Sequence, residues 1–227
     1  MEEALYDCAL LRRFAQVDLG NEPVPDETTI CCFRHLLEEH SLGSAIMTVV
    51  NQYLQRRGLT ITTGTIVDAT IIRAPSSTKN ADQQRDPELP QTKKGKQWYF
   101  GVKAHVGVDS RTKIIPTAVV TAANVADSVV LAELLPSGET KVWDDQAYRG
   151  QAAAIHQVVP RAQDMTSQRY RYKNRIDDVE REKNRHKSRG RSRVEQVFAV
   201  IKLQFGYVKA RYRGLQKNAN QIFTLAR

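Results

Sequence analysis

The chain of 227 residues carries a formal net charge of +9, and 41% of its residues are hydrophobic. That length suits one large domain, or one domain with a small helical addition, and the hydrophobic fraction suffices for a core. No apolar run approaches the ~20 residues of a membrane span, and the N-terminal residues show no signal-peptide pattern. We therefore expect a cytoplasmic protein. The three cysteines have no metal-binding spacing, so neither disulfides nor structural zinc are expected.

The positive charge is concentrated in the last third of the chain. Residues 161–227 contain 18 Lys or Arg against 6 Asp or Glu, whereas residues 1–160 contain 16 against 19. A localised basic excess indicates a polyanionic partner, most simply nucleic acid. The basic segment of residues 161–193 also contains interleaved acids, which leaves open an exposed charged helix without a partner.

The first 58 residues read as helices. Asp26 is placed to cap a helix over residues 27–37, and a second helix over residues 41–57 should end at Gly58. Two helices packed on the edge of a core are the favoured interpretation. A DNA-binding helix-turn-helix is the alternative, but neither helix is notably basic. We predict a helical segment over residues 1–58 and a separate domain over residues 59–227.

From residue 64 the hydrophobic pattern changes to that of strands. Residues 64–74 are rich in Thr, Ile and Val on both faces, which is typical of a central strand covered on both sides. A Lys-rich loop is expected over residues 76–96. The remaining predicted elements are a hairpin of strands 97–108 and 113–121, a helix over 128–135 capped by Asp127, a strand over 141–144, and helices over 150–158 and 191–206. This order predicts an α/β fold.

Acidic residues occupy unusual positions in three of these elements. Asp68 interrupts the apolar run of residues 65–72, and a buried charge costs several kcal/mol unless it is compensated. Asp144 and Asp145 follow the strand over 141–144, and only one of them can point inward. Glu195 shares a helical stripe with Arg191 and Lys202, beside an apolar face.

Divalent cations with carboxylate ligands are the usual compensation for such acids, and two of them can promote attack on a phosphodiester. Two plainer interpretations remain open. Asp68 could form an ion pair at the end of its strand. Glu195 could form an exposed pair with Arg191 one helical turn away.

A series of motifs along the chain resembles the catalytic region of DDE transposases from bacterial insertion sequences, of the insertion-sequence-five group. The matching segments, in order, are residues 64–72, 74–80, 85–88, 91–109, 121–124, 145–150 and 206–215. The resemblance implies an RNase H-like mixed sheet flanked by helices. It assigns the three catalytic, metal-binding acids to Asp68, Asp145 and Glu195. The Asp-x-x-Tyr pattern that ends at Tyr148 selects Asp145 over Asp144.

The same resemblance implies a function. Such enzymes use two Mg²⁺ ions, with Mn²⁺ able to replace them, to cut phosphodiester bonds and transfer strands at the ends of an insertion sequence. The expected partners are the terminal inverted repeats of the element, the target DNA, and further copies of the chain on that DNA. The expected location is the bacterial cytoplasm, at the nucleoid.

The family signature around the glutamate also suggests DNA contacts. Arg191 and Lys202 match its basic positions and are expected at backbone phosphates, with Arg193 at the end of the basic segment. The lysines near Trp98 could contact flanking DNA or lie in a solvated loop; they are Lys93, Lys94 and Lys96. His105 is expected to have a packing role.

Two features depart from the family pattern. Ser188 occupies the position where the signature has a tyrosine. Family members also carry more sequence before the region that matches Met1 and after the region that matches Arg227, so the chain is expected to be a shortened copy. A catalytically silent DNA-binding protein derived from a transposase is therefore the alternative function. A metal nuclease that cuts DNA without joining it is a further rival.

Overall fold

The computed structural model describes residues 2–59, 64–79, 81, 83–172 and 175–226. Asn80 of the matching segments and Lys173 and Asn174 of the predicted basic segment lie outside this range. The chain divides into two compact units, residues 1–42 and residues 43–227. Structural units need not coincide with family domains, so the predicted boundary at residues 58/59 stays a prediction.

The smaller unit contains three helices, α1 (Glu2–Asp7), α2 (Ala9–Ala15) and α3 (Glu27–Glu39). The Arg12 guanidinium donates to the carbonyl oxygens of Leu5 and Tyr6, at 2.9 and 2.6 Å, and so joins α2 to α1. As predicted, Asp26 caps α3, because its carboxylate accepts a hydrogen bond of 2.7 Å from the backbone N–H of Thr29.

The larger unit contains α4 (Leu42–Arg56) from its second residue onward and is built on a mixed sheet of six strands. The strands are β1 (Thr65–Arg73), β2 (Gln91–Lys94), β3 (Gln97–Asp109), β4 (Thr117–Ala122), β5 (Lys141–Trp143) and β6 (Gln163–Asp164). Their order is β2-β3-β1-β5-β6, and β4 also pairs with β3. β1 is antiparallel to β3 and parallel to β5, and β5 is parallel to β6.

Helices flank the sheet, and a short hairpin precedes the longest of the later ones. The elements are α5 (Leu131–Leu134), α6 (Ala152–Val158), β7 (Arg171–Tyr172), β8 (Arg175–Ile176), α7 (Asp178–Arg191), α8 (Arg193–Ala199) and α9 (Leu215–Leu225). A mixed parallel and antiparallel sheet between helices confirms the predicted α/β, RNase H-like fold. None of the described helices is long and apolar enough to cross a membrane.

Strand β1 is the centre of the sheet and is covered on both faces, as its sequence predicts. Ile66 belongs to a hydrophobic cluster with Val106, Val194 and Ile201, whereas its neighbour Val67 belongs to a second cluster. The second cluster includes Leu131, Val142, Tyr148 and Ile155. Because side chains alternate along a strand, one apolar run supplies both clusters.

Several predicted boundaries differ from the structure. The Lys-rich loop contains β2, whose backbone pairs with β3, and α9 was not predicted. The helix predicted over 191–206 is α8 followed by a π-helical segment, Val200–Gln204, and Arg191 is instead the last residue of α7. The prediction that Asp127 caps a helix is wrong. It is the first residue of a 3₁₀ turn, Asp127–Val130, and its carboxylate pairs with Lys103 at 2.9 Å.

Candidate active site

Two of the predicted acids lie side by side where β5 ends beside the central strand β1. β1 and β5 pair in parallel with Ile66 opposite Trp143. Asp68 and Asp145 each follow two residues later, so the same register carried forward brings them opposite one another. The end of β5 and the adjacent part of β1 thus bring two carboxylates to one place.

Asp145 is held by the backbone turn that follows β5. Its Oδ1 accepts a hydrogen bond of 2.6 Å from the N–H of Ala147, so Asp145 caps the start of a 3₁₀ turn, Gln146–Tyr148. Its Oδ2 lies 3.8 Å from Nη1 of Arg191. One carboxylate oxygen is therefore fixed by the chain, and the other faces a cation.

Asp68 carries the electrostatic cost that its sequence position predicts. Burial raises the pKa of its carboxyl, and the charge of Asp145 raises it further. The N–H of Ala69, which donates to Oδ1 at 2.8 Å, and the nearby charge of Arg191 act in the opposite direction. The raised pKa shows that these partners compensate the buried charge only in part.

Arg191 reaches the acids because α7 packs closely on β5. A Cβ atom at Gly190 would lie 3.0 Å from Nε1 of Trp143, so the indole rests against the helix backbone. α7 is also tied to the segment after β6. Asn184 exchanges two hydrogen bonds with the backbone of Gln168, at 3.0 and 2.6 Å, and Lys187 Nζ donates to the carbonyl of Thr166 at 2.8 Å.

A buried tyrosine lies near the two acids. It is Tyr148, the last residue of the Asp-x-x-Tyr pattern, and that pattern gives no role for the ring. Tyr148 is 1% exposed, and burial is the main cause that raises the pKa of its phenol. The charges of Asp127, Asp68 and Asp145 raise that pKa further, which places the ring among these acids. Its hydroxyl has no hydrogen-bond partner among the described residues. The ring therefore packs in the second hydrophobic cluster, next to the acids.

Asp144, the neighbour of Asp145, is buried. It is 1% exposed, and burial raises the pKa of its carboxyl to about 7. The nearby hydroxyl of Thr166 donates to Asp164, so neither carboxylate oxygen of Asp144 has a donor within the described part of the chain. Alternation of side chains that continues past the end of β5 thus separates the tandem acids, one into the core and one towards Asp68.

A buried polar network that sequence reasoning missed adjoins this site. Lys103 Nζ lies 2.9 Å from Asp127 and donates to the carbonyl of Val125 at 2.7 Å. His105, fully buried, has its Nε2 2.9 Å from Thr121 Oγ1. Because that hydroxyl donates to the carbonyl of Ala122, we assign the ring proton to Nε2. Burial lowers the pKa of His105 to about 4, so the ring is neutral at pH 7.

This site coincides with a match to a known family. A family model described as the transposase DDE domain matches residues 60–227. The chain belongs to the DDE transposase family. No solved structure matches it. The match covers the sheet and the helices around Asp68, so the transposase domain includes the whole candidate site.

The third predicted acid is not assembled with the other two in the described part of the chain. Glu195 lies in the first turn of α8, which packs on β1, and its side chain is exposed. Among the described residues, no three His, Cys, Asp or Glu side chains lie close enough together to hold a metal ion. The donor chemistry nevertheless fits a divalent cation, because Asp68 and Asp145 offer hard oxygen ligands and the buried charge of Asp68 is only partly compensated.

Two of the predicted DNA-contacting lysines of the transposase domain lie next to the acids. Lys202 Nζ donates to Thr70 Oγ1 at 2.5 Å, one position along the same face of β1 from Asp68. Burial is the main cause that lowers the pKa of Lys202, followed by the charges of Lys94 and Arg73. Lys94 also acts on Asp68. A cationic rim therefore surrounds the acids.

The other predicted cations have different surroundings. Arg193 donates through Nη1 to the carbonyl of Ser110, which anchors the start of α8 to the turn after β3. Lys93 lies over the ring of Trp98, 5.6 Å from its centroid, and Lys96 is exposed in the turn between β2 and β3. Ser188, at the family's tyrosine position, is exposed on α7.

Proposed function

We propose that this chain is a DNA transposase that cuts phosphodiester bonds and transfers strands at the ends of an insertion sequence. The single observation that carries the proposal is the juxtaposition of Asp68, on β1, and Asp145, just after the parallel strand β5, in a chain of the DDE transposase family. Clustered carboxylates with incomplete charge compensation are rarely kept for stability alone. They are the common feature of sites that act on phosphate esters through cations.

The proposed ligands of the metal ions are Asp68, Asp145 and Glu195. Two Mg²⁺ ions, or Mn²⁺ in their place, would supply activation of the attacking oxygen and stabilisation of the leaving oxygen. The chain's part is to hold two of the ligands rigidly, since β1 and the turn at Ala147 fix Asp68 and Asp145. Glu195 would complete the set through a rearrangement of the α8 side chain.

The neighbouring cations would bind the negative charge of the substrate. Lys202 and Arg191 flank the acids and suit non-bridging phosphate oxygens next to the scissile bond. Further out, Lys93, Lys94, Lys96 and Arg193 would contact the DNA backbone without reading sequence. We infer that the partners are the terminal inverted repeats and target DNA, bound by more than one copy of the chain at the nucleoid.

A second candidate function has one observation in its favour. With Glu195 exposed and no group of three possible ligand residues close together in the described part of the chain, the site could bind DNA without cutting it. The protein would then be a catalytically silent DNA-binding derivative of a transposase.

The two functions are separated by an assay for cleavage and strand transfer. The substrate is a labelled duplex with the DNA that flanks the coding sequence, incubated with Mg²⁺ or Mn²⁺. We expect metal-dependent nicks and joined products from the wild type, and neither from Asp68→Asn, Asp145→Asn or Glu195→Gln. The matched control is Asp178→Asn, since that acid lies on α7 with its side chain 74% exposed.

Three other results would contradict the proposed transposase activity. Equal products from wild type and Asp145→Asn would show that the nuclease activity has another source. DNA binding without any product would support the silent protein. Cleavage without joined product would indicate a metal nuclease only.

A further inference from the structure

Two motif segments that have no role in the candidate site meet in space. Asp86 and Glu88 lie near the end of the polar loop before β2, and Gly214 and Leu215 begin α9. The backbone N–H of Gly214 donates to Asp86 Oδ2 at 2.6 Å, and the N–H of Leu215 donates to Glu88 Oε2 at 2.8 Å. Contacts across more than a hundred residues thus hold the loop against the start of this helix.

The junction encloses a cavity of about 180 Å³ with a basic, aromatic lining. Its lining includes Arg85, Arg211 and Arg213, the rings of Phe100 and Tyr212, and one acid, Asp86. Both carboxylate oxygens of Asp86 accept backbone hydrogen bonds, from Gly214 and, at 3.1 Å, from Glu88. Asp86 is therefore occupied by the hydrogen bonds of the junction. The cavity lining has three arginines and one acid, so its net charge is positive.

Arg85 is oriented for binding an anion. Its Cζ lies 4.1 Å from the centroid of the Phe100 ring, and its Nε donates to the carbonyl of Ser76 at 3.2 Å. A guanidinium that is stacked on a ring and held through Nε keeps its two Nη groups in a fixed plane. Within the described residues, neither Arg85 nor Arg211 forms an ion pair with a carboxylate.

Basic side chains lie along β1 between the two acids and the cavity. β1 runs from Asp68 past Thr70, which binds Lys202, to Arg73, whose guanidinium lies 4.9 Å from the centroid of the Tyr99 ring. The next residue, Ala74, lines the cavity. From Asp68 to Ala74 the strand covers about 20 Å, at about 3.3 Å per residue. B-DNA places one phosphate per strand about every 3.4 Å, so this distance corresponds to about six phosphates.

We propose that Arg85 and Arg211 bind a backbone phosphate of the DNA segment whose scissile bond lies at Asp68 and Asp145. This assignment rests on the proposed function, because it takes the substrate from it. Arg85 and Arg211 would anchor the flank of the cleavage site about six steps from the reaction. Their role is to bind and position the DNA backbone without reading its sequence.

The test is the salt dependence of DNA binding. A fluorescein-labelled duplex of the DNA that flanks the coding sequence is titrated by anisotropy, without divalent metal, over a range of NaCl concentrations. Each phosphate contact contributes about 0.9 to the slope of log affinity against log salt. The double variant Arg85→Ala/Arg211→Ala removes one phosphate contact and should therefore bind more weakly, with a slope smaller in magnitude by about 0.9.

Two further variants exclude a loss of fold or of general charge. Arg85→Lys/Arg211→Lys keeps both charges and should retain most of the slope. Arg13→Ala/Lys141→Ala removes two exposed cations outside the cavity and should leave the slope unchanged. Thermal unfolding of every variant shows whether its fold is as stable as that of the wild type.

The outcomes separate this inference from the proposed function. Equal slopes for wild type and Arg85→Ala/Arg211→Ala overturn the phosphate site, while loss of cleavage in Asp145→Asn would still support the transposase. An equal loss in the Arg13→Ala/Lys141→Ala control also overturns the site, since only general charge would matter. Absence of DNA binding by the wild type contradicts the proposed function itself. Binding of dAMP that depends on Arg85, with an unchanged DNA slope, would assign the cavity to a free nucleotide instead.

Discussion

Arg191 Nη1 lies 3.8 Å from Asp145 Oδ2 and joins the last residue of α7 to the second residue after β5. The same guanidinium acts on Asp68 and counters the cost of its burial. A protein cation thus stands next to the carboxylates that would bind metal. The charge balance of the site then depends on Arg191 when divalent cations are absent.

Arg191→Ala should therefore lower the stability of the metal-free protein and increase its response to Mg²⁺. The two side chains are partly exposed, so we expect a loss of about 1 kcal/mol at most in the free energy of unfolding. Thermal unfolding with and without Mg²⁺ measures both effects. In the control Arg181→Ala, which breaks an exposed pair with Asp178, the Mg²⁺ response should match that of the wild type. An unchanged response in Arg191→Ala would contradict the electrostatic role.

Tyr148→Phe should leave the stability unchanged or increase it slightly. The hydroxyl is buried without a partner in the described residues, so its removal ends a desolvation cost, whereas Tyr148→Ala leaves a cavity and should cost about 3–5 kcal/mol. Denaturant unfolding distinguishes the two. Tyr207→Phe is the matched control, because the Tyr207 hydroxyl donates to the buried Asn218 Oδ1 at 2.8 Å. Its loss should cost about 1–3 kcal/mol. Similar losses in Tyr148→Phe and Tyr207→Phe would show that the Tyr148 hydroxyl is bonded.

His105 should make the fold acid-sensitive. The pKa of the ring is about 4 in the fold against 6.5 as its ordinary value, so the unfolded chain binds the extra proton between these pH values. The stability from the neutral ring is complete above pH 6.5 and falls as the pH is lowered towards 4, by about 3 kcal/mol in total. Denaturant unfolding at several pH values should show that, between pH 6.5 and 4, the free energy of unfolding of the wild type falls relative to that of His105→Gln.

The pH experiment is best read as a difference between variants. Burial raises the pKa of both Glu139 and Asp144 to about 7, so these acids stabilise the fold as the pH falls and oppose the effect of His105. Subtracting His105→Gln from the wild type isolates the ring. His156→Gln, at an exposed position on α6, should retain the wild-type slope. A difference curve that is flat between pH 4 and 6.5 would contradict the assignment of a neutral, buried ring.

Lys202→Met should separate DNA binding from stability. The ammonium is half-buried against Thr70, and burial lowers its pKa, so a methionine of similar length should cost little stability. DNA affinity should fall, and the salt slope should decrease by about 0.9 if Lys202 contacts one phosphate. Anisotropy titrations and thermal unfolding measure the two properties. Lys141→Met is the reference variant. If Lys202→Met has the same salt slope as the wild type and Lys141→Met, Lys202 does not contact the DNA.

Local patterns predicted the parts of the fold that depend on neighbours in sequence. The apolar run around Asp68 predicted a central strand, and Asp26 predicted the start of α3; the structure confirms both. Patterns failed where a long-range partner decides the structure. β2 is polar and forms because its backbone pairs with β3, and Asp127 pairs with Lys103, 24 residues earlier, instead of capping a helix. A buried partner outweighs a local capping preference.

The sequence by itself determined the acids, the basic last third and the family resemblance, because these depend on residue types and their order. Only the tertiary structure decided which groups meet. Strand pairing set Asp68 beside Asp145, alternation turned Asp144 into the core, and the close packing of Gly190 on Trp143 brought Arg191 to the acids. The meeting of Asp86 with Gly214 is of the same kind. Such contacts join distant segments, and their free energy comes from packing and burial that no local pattern records.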